Sequence, residues 1–229
     1  MPIIPEVQER LRSLIPAETD RAVIRAVLEG IVLADSLFDK GMLLHEAMGH
    51  DLLGHVRRVG IAQKIKEHCQ RGDIPLTAEI KLMPRGRWHW LEIHSVGLRA
   101  HMCRTDDVYC FPAEAESRQD PRLSIQGNLL SWAERHKSVR QIIREIPELY
   151  AWLTFRVVAD GNLSHLCWCS PAPDVNEYIA MINLLEEAKR SSEPTPDPAR
   201  PSPKDLLEFQ EEFRKQFEQS KDRTKDGSE

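Results

Sequence analysis

The chain has 229 residues, which allows one large domain or one domain followed by a tail. Apolar residues make up 41%, enough for a buried core, while 31 Lys and Arg against 36 Asp and Glu give a net charge of −5 and exclude a uniformly basic nucleic-acid coat. No stretch reaches the roughly 18 apolar residues that cross a bilayer, Met1-Pro2-Ile3-Ile4-Pro5 lacks a secretion signal, and five Cys without framework spacing read as reduced thiols. A cytoplasmic protein without membrane association is expected.

Residues 6–72 read as helices. Between Ala17 and Leu37 the residues Val23, Ile24, Val27, Leu28, Ile31 and Val32 recur at helical spacing, with Thr19 as N-cap. Gly41 separates this stretch from Met42–Gly49, and a third helix is expected over His55–Gln70. On it Val59, Ala62, Ile65 and Cys69 share one face, and Arg57, Lys64, His68 and Arg71 gather opposite, which predicts a solvated basic face.

After Pro75 the period becomes two. Leu76, Ala78, Ile80 and Leu82 alternate with polar residues, Pro84-Arg85-Gly86-Arg87 forms a turn, and Trp88–Ser95 and Leu98–Arg104 follow, which predicts a three-stranded antiparallel meander. Residues 105–128 read as irregular and Leu129–Glu145 as helix. Tyr150–Ala159 and Leu163–Ser170 flank Asp160-Gly161, a strong hairpin signal. Val175–Arg190 reads as a packed helix.

The composition then shifts. Pro194, Pro196, Pro198, Pro201 and Pro203 make residues 191–203 a semi-rigid linker. Leu206, Phe209, Phe213 and Phe217 recur at helical spacing within a charged surround, so 204–219 reads as an amphipathic helix, and 220–229 as a disordered end. The expected architecture is thus α+β: residues 1–190 form one domain (helical 6–72, β-rich 76–170, helix 175–190), with helices packed on the meander and a further hairpin and helix, the hairpin either separate or joined to the meander in one sheet. The linker and tail helix follow.

Five features could carry chemistry. His45-Glu46-Ala47-Met48-Gly49-His50 has its His at i and i+5, about 140° apart on a helix, and so does not match the i, i+4 spacing of zinc peptidases. In the meander, Lys81 should face Trp90, and Glu79 should face Glu92, which faces His101. Thr77, His94 and Arg99 form the next row, with Cys103 beyond Trp90. Glu79, Glu92, His94 and His101 would then be the candidate catalytic residues of a metal-dependent hydrolase or nuclease, against the plain alternative of a wet sheet face with cross-strand charge pairs. Glu79-Ile80-Lys81 is similar to the Glu-x-Lys of a common nuclease fold, but that fold needs a preceding acidic strand where this chain reads as helix.

His165, Cys167 and Cys169 alternate on one strand face, opposite Trp152, Thr154 and Arg156. They are soft ligands that suit zinc, although residues two apart on a strand stand about 6.5–7 Å apart and a small hydrophobic Cys is the commoner role. Residues 51–104 hold ten basic against five acidic residues, a net of +5. Helices followed by a basic-tipped hairpin are similar to a winged helix, so Arg57, Lys64, Arg71, Arg85, Arg87 and Trp88 are the candidate nucleic-acid contacts. Finally, a Pro-rich spacer leading to a Phe-striped helix suits docking into a groove, either a partner's or the chain's own, through Leu206, Phe209, Phe213 and Phe217.

With no complete catalytic constellation and no cofactor fingerprint, the sequence favours a non-enzymatic regulatory or adaptor protein that binds a partner protein, such as an antitoxin or phage-defence component. No cofactor is expected on this reading. Nucleic-acid binding is the first alternative and metal-dependent hydrolysis the second.

Overall fold

The structure, a computed structural model, describes residues 3–40, 47–82, 89–113, 122, 148–172, 176–190, 204–211 and 215, without the side chains of 39, 40, 47, 48 and 50. It is a mixed α and β architecture. Helix α1 (Pro5–Leu14) starts on a proline, whose missing N–H costs nothing at a helix N-terminus, and it buries Val7 and Leu11. A 3-10 turn (Ala17–Thr19) leads into α2 (Asp20–Lys40). The Thr19 hydroxyl donates to the Pro16 carbonyl at 2.7 Å, so it closes this turn. Helix α3 runs from Ala47 to Arg71, beginning eight residues before the expected His55. Among the described residues no helix is long and apolar enough to cross a membrane.

Helices α2 and α3 cross with their backbones in contact. A Cβ on Gly30 would stand 2.4 Å from the Ile61 Cα, and one on Gly60 would stand 2.4 Å from the Gly30 carbonyl oxygen. Only glycine admits this approach, at a cost of about 0.5–1 kcal/mol in helix propensity per position.

Strands β1 (Thr77–Leu82), β2 (His89–Ser95), β3 (Leu98–Arg104), β4 (Leu149–Val157), β5 (Leu163–Pro171) and β6 (Tyr178–Asn183) form one six-stranded sheet in sequence order. All neighbours are antiparallel except β3 and β4, which run parallel. Of the two arrangements open for the hairpin, the joined one holds, because β4 pairs with β3 from Leu98↔Leu149 to Arg104↔Phe155. One expectation is corrected here. Residues 175–190 are not one helix: Tyr178–Asn183 pairs along β5, and only Leu184–Arg190 (α4) is helical. Tyr178, Ile179, Ala180 and Ile182 are buried there. A short apolar run fits either element by pattern, and the free edge of β5 decides for strand.

One sheet face carries Ala78, Leu91, Ile93, Ala100, Met102, Ala151, Leu153, Leu166 and Trp168, which join α1–α3 residues such as Leu11, Ile24, Val27, Ile61 and Ile65 in the main core. The Ile4 N–H donates to the Ile179 carbonyl at 2.7 Å, fastening the start of α1 to β6. At the β4–β5 turn Gly161 has φ +84°, a conformation L side chains rarely adopt. The expected helix over Leu129–Glu145, most of 105–128, the linker 191–203 and residues 216–229 lie outside the described residues.

Candidate functional site

The alternation of β1, β2 and β3 puts Glu79, Lys81, Trp90, Glu92, His94, Arg99, His101 and Cys103 on the second sheet face. Pairs Lys81↔Trp90, Glu79↔Glu92, Glu92↔His101 and His94↔Arg99 are those predicted from the turns. The parallel β3–β4 pairing then sets Tyr150 beside Arg99 and Trp152 beside His101.

These residues form a chain of polar contacts. The Lys81 ammonium bonds the Glu92 carboxylate. The other Glu92 oxygen lies 3.5 Å from His101 Nε2. His101 Nδ1 lies 2.9 Å from the Tyr150 hydroxyl, and Trp152 Nε1 donates to that hydroxyl at 3.0 Å. Donor counting orients one end of the chain. Indole is only a donor, so the Tyr150 oxygen accepts from Trp152, while the direction of the Tyr150–His101 bond follows the His101 tautomer. The His101 contact holds Glu92 down to about 2 against the opposing effect of burial, with Lys81 assisting.

Of the four candidate catalytic residues, Glu92 and His101 are buried, whereas the Glu79 side chain is 52% exposed and that of His94 is 34% exposed. His94 Nε2 lies 3.5 Å from Glu79, and Lys81 Nζ lies 3.7 Å from the same carboxylate. The structure therefore brings all four together. However, it commits the two buried groups to partners within the chain, and Tyr150, the next group along, is fully buried. Tyr150 and Trp152 escaped the sequence reading because a parallel pairing across more than forty residues leaves no local signal. Their alternation with Thr154 gave their face but not their neighbours.

Farther along the same face, Cys103, Tyr150, Trp152, Cys167, Cys169 and Tyr178 form a second buried cluster, against which Val108, Phe111 and Met181 pack. Phe111 meets Trp152 edge-on at 4.9 Å and stacks on Tyr178 at 4.8 Å. His165, Cys167 and Cys169 do alternate, opposite Arg156, Thr154 and Trp152. His165 Nε2 is engaged by the Thr105 hydroxyl at 2.8 Å, and burial lowers its pKa. Burial pushes the Cys169 thiol well above its ordinary value, with Cys167 acting in the same direction. Among the described residues no group of three His, Cys, Asp or Glu is placed to hold a metal ion.

The expected solvated basic face of α3 is corrected: Arg57, Lys64 and His68 are buried. Arg57 forms a two-point pair with Asp35 at 2.7 and 3.0 Å and donates to the Val158 carbonyl at 3.0 Å, tying α2 and α3 to the β4–β5 turn. Lys64 bonds Glu67, and His68 lies between Glu29 and Asp73 at 3.0 and 3.1 Å. Their partners lie largely on other elements, so the helical wheel of α3 could not reveal them. Arg71 is exposed and pairs with Asp73 at 3.2 Å, while Arg85, Arg87 and Trp88 lie outside the described residues.

In the tail, residues 204–211 are helical. Leu206 and Phe209 are buried with Leu33, Ala34, Leu37 and Phe38 of α2 and Val56 and Val59 of α3, whereas Leu207 is 60% exposed. Phe213 and Phe217 lie outside the described residues. No protein-family model matches this chain, nor does any curated protein or solved structure.

Proposed function

We propose that the chain is a cytoplasmic, non-enzymatic regulatory or adaptor protein whose C-terminal helix binds a partner protein, in the manner of an antitoxin or phage-defence component. The observation that carries this reading is the seat of Leu206 and Phe209 in the apolar groove between α2 and α3, at the end of a 13-residue segment holding five prolines. A covalent tether raises the effective concentration of the helix at its groove above that of a free partner. A partner that offers a groove of the same kind competes for the helix, and a partner helix competes for the vacated groove.

The polar sheet face supports the non-enzymatic side of the reading. General acid or base catalysis needs a group within hydrogen-bond reach of a substrate proton. Glu92, His101 and Tyr150 spend that reach on one another, beneath the surface.

The test compares the full chain with the double variant Leu206→Asp, Phe209→Asp, using a fluorescent peptide of residues 204–219. The peptide is expected to bind the variant, whose groove is empty, and to be excluded from the unaltered chain. A partner isolated with the full chain should also lose affinity when the chain is cut at Ser191. Unchanged partner affinity after that cut contradicts the proposal.

A further inference from the structure

The sheet ends on two outer strands, and they differ. At β6 the Ile4 N–H bonds the Ile179 carbonyl, so the start of α1 occupies part of that edge. At the other end, β1 pairs with β2 and with no further strand among the described residues. An edge strand presents a row of backbone N–H and C=O groups to any strand that comes alongside. On β1, Thr77 and Glu79 are exposed, Ile80, Lys81 and Leu82 are half-buried, and Ala78 is buried. Alternation puts Ala78, Ile80 and Leu82 on the helix side and Glu79 and Lys81 on the polar side, where their side chains are 52% and 41% exposed. The rim thus offers apolar surface on one side and one charge of each sign on the other.

That pattern is self-complementary in one register. A parallel pairing of two copies about a two-fold axis turns one copy over, so the helix side of one sheet adjoins the polar side of the other. An antiparallel pairing keeps both sides, and facing residues then share a side. Centred on Glu79, it sets Glu79 against Glu79. Centred on Lys81, it sets Lys81 against Lys81. Centred on Ile80, it sets Glu79 against Lys81 and Ala78 against Leu82, each twice, with Ile80 against Ile80. Unlike charges directly opposite stabilise a strand pair and like charges destabilise it, so the register on Ile80 is favoured on both sides of the sheet. Registers centred farther out pair fewer residues. Within one chain Lys81 bonds Glu92, while the cations nearest Glu79 are His94 at 3.5 Å and Lys81 at 3.7 Å. The Lys81 ammonium has three protons and can keep Glu92 on the β2 side while it meets Glu79 of a second copy on the other.

We propose that β1 is a homodimer interface, pairing antiparallel with β1 of a second copy about Ile80 and joining two six-stranded sheets into one. The tail helix packs in the groove between α2 and α3 and takes no part in it, so the two proposals stand or fall separately.

Sedimentation equilibrium of the full chain tests it. The mass is expected to rise from 26.3 kDa toward twice that value as concentration approaches about 100 μM. Glu79→Lys turns both unlike pairs into like ones and should weaken association roughly tenfold. Within the chain the substituted position still faces Glu92, so the fold is spared. Ile80→Cys, made with Cys110→Ser because Cys110 is exposed, should give a disulfide-linked dimer with oxidised glutathione. Facing Cα atoms of an antiparallel pair stand about 4.5–5.5 Å apart, within reach of that bond. Leu82→Cys in the same background should not, because its two copies lie four residues apart along the strands, roughly 13 Å. Should Ile80→Cys fail to fold, Glu79→Lys carries the test. A mass fixed at 26.3 kDa up to about 100 μM, a dimer of unchanged affinity in Glu79→Lys, or equal cross-linking by the two cysteines overturns the proposal. So does a dimer that is lost in the Leu206→Asp, Phe209→Asp chain, which exchanged tail helices would hold.

Discussion

The second face of the sheet and the groove between α2 and α3 are both closed, but by different means. On the sheet, Glu92, His101, Tyr150 and Trp152 are buried against neighbours on adjacent strands and linked by polar contacts. In the groove, Leu206 and Phe209, which follow a proline-rich segment, are buried among apolar residues of α2 and α3. A polar chain of this kind tolerates no exchange, because removing one member strands the next. An apolar seat can exchange one apolar occupant for another of similar shape. On the proposed function, the first region holds the fold and the second is the exchangeable one.

Substitutions can break or sharpen that contrast. The largest effect is expected in the main core, where Trp168 is 1% exposed: Trp168→Ala should cost about 3–5 kcal/mol in urea unfolding. Tyr150→Phe comes next. It leaves Trp152 Nε1 without an acceptor and His101 Nδ1 without its Tyr150 partner, at about 2 kcal/mol by the same measurement. A loss near zero would show that the polar face is not the closed unit described.

Glu92→Gln is expected to cost about 1–2 kcal/mol at pH 7, with a distinctive pH dependence. The carboxyl is depressed from 4.5 to about 2 in the fold, so its stabilisation is present above pH 4.5 and is lost as pH falls toward 2. Unfolding free energy of the unaltered chain should therefore decline across that window, and Glu92→Gln should flatten the decline. An identical slope in both proteins would remove Glu92 as its source.

The smallest effect is predicted for Phe209→Ala, although Phe209 is only 2% exposed. In an integral core this change costs about 3–5 kcal/mol. For a detachable helix the loss cannot exceed the free energy of docking, and about 1 kcal/mol of global stability is expected. Susceptibility of the 191–203 linker to protease should rise instead.

Much of the sheet was legible because period two, bounded by Pro84–Arg87 and Val96-Gly97, leaves few alignments for β1, β2 and β3, and Asp160-Gly161 does the same for β4 and β5. What escaped was long-range. The parallel β3–β4 pairing joins strands more than forty residues apart and brings Tyr150 to His101. The edge of β5 turns Tyr178–Asn183 into strand. The α2–α3 crossing at Gly30 and Gly60 hides in two helical stretches where glycine reads only as a weak helix former. For the candidate site the same division holds. Residue alternation placed Glu92 and His101 on one face, but burial of Arg57, Lys64 and His68 depends on Asp35, Glu29 and other partners that a single helix does not display.

Amide hydrogen exchange on the full chain tests the contrast most directly. The account predicts that amides of 204–211 exchange through a local opening, orders of magnitude faster than those of β4 and β5, which wait for global unfolding. Equal protection in both regions would make the tail helix an integral part of the core and contradict its role as an exchangeable element.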